Sequence, residues 1–329
     1  MSNSSRVSSF FFSAYGDLTN LNYLYFSIVL VLYLLIIILN VMFIVVVYLE
    51  RGLHQPMYIF MCNLSCNGLY GSTALCPLLL KNIISETHEI SRASCLAQIF
   101  SIHSYGSFEF TILTVMSYDR YVSICYPLQY SAIMSPFKIG TLIVLIYVYN
   151  IFSVSITLSL TSTLQLCGNI IDKIYCDNYP IVKLACTDTT ALNIYYLINL
   201  AITICTQVLL IICSYVRIFQ VCIKVSKNSQ AKAMATCAPQ MLIVINYGIA
   251  CSFELIQNRF NMKHLPTMIR IILSVYFLIL PPLFICRALV APVAELDLVK
   301  SFFLEQANPD PVQKSKIIEF STSLASQIM

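Results

Sequence analysis

The chain has 329 residues, of which 58% are hydrophobic and 10% charged, with a net charge of +4. Soluble domains carry roughly 25% charged residues, so a water-soluble globule this poor in charge lacks the polar surface to cover itself. The positive charge is small and dispersed, with no basic tract and no aromatic-interleaved patch, which argues against nucleic acid as a partner.

Residues 1–22 read as a polar extracellular segment without the apolar core of a cleaved signal peptide, so the first span is expected to act as the insertion signal. Asn3-Ser4-Ser5 marks Asn3 as a candidate glycosylation site. Asn63-Leu64-Ser65 also fits the pattern but falls inside a span. Stretches free of Asp, Glu, Lys and Arg run between Asp17 and Glu50, Arg51 and Lys81, Lys138 and Asp172, Asp188 and Arg217, and Lys232 and Glu254. Each is long enough for the about 20 apolar residues that cross a bilayer. Two further candidates are interrupted once each, Ala93–Tyr118 by Glu109 and Thr267–Cys286 by Arg270.

Helices are therefore expected at Tyr23–Leu49, Pro56–Leu80, Ala93–Cys125, Phe137–Leu160, Ala191–Ile218, Met234–Ile256 and Thr267–Leu289. This is an all-α membrane protein, a seven-transmembrane-helix bundle over residues 23–289, followed by a tail at 290–329. The connection after the fifth span holds Arg217, Lys224, Lys227 and Lys232 without an acid. The long connection after the fourth holds Asp172, Asp177 and Asp188 against Lys173 and Lys183. Basic residues favour the cytoplasmic side, which puts the amino terminus outside. Arg259 and Lys263, after the sixth span, argue the other way.

That orientation gathers Cys95, Cys167, Cys176 and Cys186 in or beside outer loops. Four thiols in an oxidising compartment pair as two bridges in any of three ways. A bridge from Cys95 to the long loop holds that loop over the bundle; the alternative is four unpaired thiols. The same orientation puts Asp119 and Arg120 at the cytoplasmic end of the third span. There they are an anchor at the membrane boundary, or a latch in which Asp119 holds Arg120 in one state and releases it to a partner in another.

Ligand pockets in helix bundles combine apolar walls with a few polar groups. His103 and Ser107 lie one turn apart in the outer half of the third span, with Phe110 and Thr111 a turn deeper. Asn199 and Thr203 repeat the spacing in the fifth span, and Tyr247 and Cys251 in the sixth. Polar residues in spans also serve simply to join helices. His103 is the leading ligand contact, and no second His or thiolate stands at i+3 or i+4 to make it a metal ligand. No H-E-x-x-H, G-x-S-x-G or phosphate loop points to an enzyme or a cofactor. No inverted repeat points to a transporter.

The stretch Met116-Ser117-Tyr118-Asp119-Arg120-Tyr121-Val122-Ser123-Ile124-Cys125-Tyr126-Pro127-Leu128 closely resembles the signature of odorant receptors, which are rhodopsin-like G-protein-coupled receptors. Asn40, Pro56-Met57-Tyr58, Ser214-Tyr215, Lys232-Ala233-x-x-Thr236-Cys237 and the three-cysteine outer loop resemble further family features. Asn67-Gly68-Leu69-Tyr70-Gly71-Ser72 is closer to fish members. The resemblance covers roughly residues 20–284. It implies Cys95–Cys176 and Cys167–Cys186 bridges, a small-molecule odorant in the outer half of the bundle, a stimulatory heterotrimeric G protein as partner, and a plasma-membrane location. It also implies an activation switch of Asp119, Arg120 and Tyr121, with Tyr215 as a partner of the released Arg120.

Three departures stand out. The acid of the family's second span falls on Gly68, beside Asn67, while Glu109 is the charge deep in a span. Asn40 and Glu109 are thus expected in an inner polar network. Gln240, after Pro239, replaces a histidine. Pro281-Pro282-Leu283-Phe284 leads into Ile285-Cys286-Arg287-Ala288-Leu289 where the family has N-P-x-x-Y. The alternative this raises is a non-signalling product of a frame-altered or alternatively spliced receptor gene.

Overall fold

The computed structural model describes residues 7–15, 22–224, 227–259 and 276. Six long helices build the described bundle: α1 (Asn22–Leu49), α2 (Pro56–Ile84), α3 (Arg92–Cys125), α5 (Pro136–Ser162), α7 (Thr190–Cys222) and α8 (Lys227–Arg259). Two short helices, α4 (Tyr130–Ile133) and α6 (Asn178–Lys183), lie in the connections. The first six expected spans thus fall on α1, α2, α3, α5, α7 and α8. The expected seventh, Thr267–Leu289, lies outside the described residues except for Tyr276, as do Asn3, the 285–289 departure and the 290–329 tail.

Local chemistry fixes the starts. Proline opens α2 and α5, where its missing N–H would have had no helical partner. Ser91 and Ser135 cap α3 and α5 by accepting from the backbone N–H of Ser94 (3.1 Å) and Lys138 (3.4 Å). The helices run past the apolar limits read from sequence. α7 continues to Cys222 and α8 begins at Lys227, so Arg217 and Lys232 belong to helices and the basic connection shrinks to a few residues. Helix formation needs only backbone pairing and continues outside the apolar slab.

Along α1 the buried residues Val29, Ile36, Asn40, Phe43 and Val47 form one stripe, at the spacing of a helix face that meets its neighbours. Its other faces expose Leu24, Ile28, Val31, Leu34, Ile38, Met42 and Val45, as suits contact with lipid. Three described helices, α1, α5 and α7, are apolar and long enough to cross a membrane by composition alone. The third helix falls short for a structural reason. α3 packs against α2, α5, α7 and α8, so it faces protein and can hold buried Gln98, Ser104, Glu109, Ser117 and Asp119.

The contact of α2 with α3 depends on Gly71. A Cβ there would stand 2.4 Å from Cδ2 and 2.5 Å from Cγ of the fully buried Tyr105 ring. These atoms lie near the α3 backbone and cannot swing aside. Gly71→Ala is expected to destabilise the bundle by about 1–3 kcal/mol, the usual range for overpacking. A thermal melt of the purified protein checks this, and an unchanged midpoint would refute the close packing.

A cap covers one end of the bundle. β1 (Ser9–Phe12) pairs antiparallel with β2 (Glu89–Ser91) and parallel with β3 (Ile170–Ile171). Phe10 and Phe12 point inward and are buried while Phe11 is exposed, the two-residue alternation of a strand. Part of the expected polar amino-terminal segment is therefore a packed strand. Tyr15 fastens it by donating its hydroxyl to the Ile174 carbonyl at 2.6 Å. Two disulfides hold the long loop: Cys95–Cys176, with Cα atoms 5.5 Å apart, and Cys167–Cys186, 5.1 Å apart.

Candidate functional site

Beneath the cap, α3, α5, α7 and α8 surround a cavity of about 170 Å³. His103, Ser107, Phe110, Asn199, Thr203, Tyr247 and Cys251 all line it. They converge because each pair repeats at i, i+4 on one face of its helix. Tyr247 is buried and donates its hydroxyl to the Gly106 carbonyl at 3.0 Å, with its ring edge-to-face on Phe110 at 4.8 Å. Thr203 and Tyr149 share a hydroxyl pair at 3.2 Å. Asn199 donates to Ser153 at 3.5 Å.

Thr111, expected to face the same space, is turned toward neighbouring helices instead. It accepts from Asn150 Nδ2 at 3.1 Å and from Gln207 Nε2 at 3.0 Å. Ser107 donates to Asn150 Oδ1. Asn150 on α5 and Gln207 on α7 are thus the joints of a polar network under the cavity. A lone amide inside an apolar run was the available signal for each, but its partner depends on helix rotation.

The roof is charged but matched. Asp177 begins α6, accepting from the Asn178 N–H at 2.7 Å. It also receives Lys173 at 3.0 Å and His103 Nε2 at 3.1 Å. Burial alone would raise the Asp177 carboxyl. The Lys173 charge, with the hydrogen bond and charge of His103, outweighs burial and holds it well below the usual carboxylate range. Asp177 therefore stays ionised at neutral pH. Because an ionised carboxylate only accepts, the His103 nitrogen facing it carries a proton. The roof also meets α3 where Cys176 N–H donates to Gln98 Oε1 at 2.9 Å.

Deeper, Glu109 is fully buried and accepts from Asn67 Nδ2 at 2.8 Å. The same amide group donates to the Tyr105 carbonyl at 3.0 Å. Asn40 does not join this pair. Its Nδ2 turns back to the Ile36 carbonyl of its own helix at 2.8 Å. The expected grouping of Asn40 with Glu109 is replaced by a grouping of Asn67 with Glu109.

At the opposite end of α3 the expected Asp119–Arg120 latch is not closed. Consecutive helical residues point about 100° apart and do not face each other. Asp119 is buried and accepts from the Tyr130 hydroxyl of α4 at 2.8 Å. Arg120 is half-buried, and its Nε has no hydrogen-bond partner among the described residues. Tyr121 donates to the Tyr126 hydroxyl at 3.3 Å. Tyr121 and Tyr215 both pack against a cluster of Ile218, Cys222 and Cys237. Gln240, buried on α8, donates to Ser117 Oγ at 3.1 Å and the Leu113 carbonyl at 3.3 Å, tying α8 to α3.

A helical membrane bundle with a ligand-sized cavity under a disulfide-pinned roof, and a charged cluster at the far end of its central helix, has the form of a seven-helix receptor. The chain belongs to the olfactory receptor family, whose model, described as olfactory receptor, matches residues 29–293. The family's fold is the seven-helix bundle. The match includes positions 285–289, where N-P-x-x-Y is absent. Human olfactory receptor 6K3 is 36% identical over 285 residues, covering 86% of this chain and 85% of the relative. Human olfactory receptor 6N1 is 36% identical over 252 residues, 75% of this chain and 80% of the relative. Mouse olfactory receptor 1E16 is 38% identical over 228 residues, 68% of this chain and 73% of the relative.

Proposed function

We propose that this chain is an odorant receptor that binds small odour molecules in the cavity between α3, α5, α7 and α8 and activates a stimulatory heterotrimeric G protein. The cavity carries the reading: a mostly apolar space with polar groups from three helices, including His103, Asn199 and Cys251. The receptor sits in the plasma membrane with residues 1–22 outside, Asn3 glycosylated and residues 290–329 in the cytoplasm. Ligand binding biases the bundle toward its active arrangement through differential affinity for the two states. Asp119, Arg120, Tyr121 and Tyr215 form the activation switch, in which Arg120 meets the G protein, and the Glu109–Asn67 pair is part of the inner network that rearranges.

Cyclic-AMP output from cells displaying the full chain, challenged with pooled small odorants, tests this. A companion chain carries Ile285→Asn, Cys286→Pro and Leu289→Tyr. A ligand-evoked rise in the natural chain is the expected result. Silence from both chains, with surface delivery confirmed, would overturn the reading. A response from the companion alone would keep the ligand site and remove the signalling role of the natural chain.

A further inference from the structure

The walls of the cavity differ in what lies behind them. From the roof, Tyr175, Asp177 and Asn178 line it, and all three are buried. The Cys95–Cys176 bridge holds that loop in place. The side formed by α5 and α7 is different. Both helices pack along α3 and scarcely along each other. Ser153 of α5 and Asn199 and Thr203 of α7 line the cavity at this seam and are half-buried. Two side-chain hydrogen bonds bridge it. Asn199 Nδ2 donates to Ser153 Oγ at 3.5 Å, and the Tyr149 and Thr203 hydroxyls pair at 3.2 Å. The second pair shows how thin the wall is. Thr203 faces the cavity, whereas Tyr149 is 47% exposed, beside Val148 and Phe152 at 60% and 68%, on the lipid-facing side of α5. At this level the thickness of one hydroxyl pair separates the ligand space from the bilayer.

We propose that this seam is the ligand's entrance: the receptor takes up small lipophilic molecules dissolved in the bilayer, and the Tyr149–Thr203 pair is the latch. Apolar side chains would seal two lipid-facing helices without leaving any polar group to satisfy. A hydroxyl pair at such a position is held together by the loss of a hydrogen bond in hydrocarbon if it parts. Yet hydrogen bonds between membrane helices are individually weak, so the seam is closed at rest and opens readily. Opening needs a side-chain rotation and a slight parting of two helices, with the roof left in place. The volume limits what enters: the cavity is about 170 Å³, and an apolar cavity of about 150 Å³ accepts benzene. Single-ring or short-chain apolar molecules of that size leave water for lipid favourably, which concentrates them beside the seam. The inference rests on reading this cavity as the odorant site.

Exchange of trifluorotoluene, an apolar ring that partitions into lipid, on the purified full chain in lipid nanodiscs tests it, with bound and free probe followed by fluorine NMR. Tyr149→Phe keeps the ring and removes the hydroxyl, and Tyr149 is not itself a wall of the cavity. Association and dissociation are both expected to accelerate by about two- to twelvefold, the scale of one neutral hydrogen bond, with Kd held within about twofold. Rates that rise together at constant affinity mark a gate, which a ligand contact or a structural support would not give. Tyr15→Phe removes the hydroxyl that fastens the cap to Ile174 and is expected to leave both rates unchanged. Unchanged rates in Tyr149→Phe overturn the proposal, as does a change in Kd without a faster association. Acceleration by Tyr15→Phe also overturns it, because the route would then run through the cap. In each of these cases the bound probe leaves the odorant-site reading standing. If the probe does not bind the natural chain, that reading falls and takes the proposal with it. Should Tyr15→Phe fail to fold, Tyr149→Phe alone decides.

Discussion

Cys95→Ala together with Cys176→Ala is expected to abolish delivery of the receptor to the cell surface. The bridge closes a loop of 81 residues, and the chain-entropy relation assigns such a loop about 4–5 kcal/mol. Cys167–Cys186 spans 19 residues, for which the same relation gives about 3 kcal/mol. Native stabilities of about 5–15 kcal/mol leave little after the larger loss. The geometry adds to the effect. Cys95 starts the central helix and Cys176 precedes Asp177, so this bridge seats the roof residue that joins His103. Changing both cysteines of the pair avoids a stray thiol that would re-pair. Surface labelling and the melting midpoint of each double variant measure the outcome. A Cys167→Ala, Cys176-intact variant lacking Cys186 that proved the less stable of the two would refute this ordering.

The parts of the molecule that sequence made legible are those governed by one chain segment at a time. Charge-free runs located the helices because the cost of a charge in lipid acts on each span alone. The i, i+4 spacing located the cavity residues because a helix puts them on one face whatever it packs against. Pairing between distant segments was much less visible. The strand Ser9–Phe12 is four residues without a hairpin signal, and it exists only because Glu89–Ser91 and Ile170–Ile171 flank it. Asp177 reads as an outer-loop acid until Lys173 and His103 are seen around it. The partners of Asn150 and Gln207 are silent in a one-dimensional reading, since they come from the rotation of α5 and α7 against α3. The Asp119–Arg120 pair stands open in this structure for the opposite reason. Adjacency in sequence suggested a contact that helix geometry disfavours, and Tyr130 took the carboxylate instead.

The open pair bears on what Arg120 is expected to do. An arginine held by its neighbour must be released before it can act, whereas here the carboxylate is already occupied by Tyr130 and Arg120 forms no ion pair among the described residues. Its charge is available to whatever enters between the helix ends. Arg120→Ala is therefore expected to cut ligand-evoked cyclic AMP to background, a loss of at least about tenfold, the scale of one charge-assisted hydrogen bond. Surface delivery should persist, since no ion pair is lost. The restraint on the other side is Gln240, whose amide joins α8 to α3 through Ser117 and the Leu113 carbonyl. Each such bond contributes roughly 0.5–1.5 kcal/mol. Gln240→Leu, by removing both, is expected to shift the resting equilibrium by roughly five- to 160-fold toward the open arrangement and raise ligand-free output. The two substitutions thus act with opposite sign on the same readout. Normal signalling by Arg120→Ala would remove Arg120 from the switch, and unchanged basal output from Gln240→Leu would mean that α8 is held by other contacts. Combining them separates the roles: if Gln240 restrains the helix that Arg120 needs opened, the double variant is silent, because an open bundle without its charge has nothing to offer the G protein.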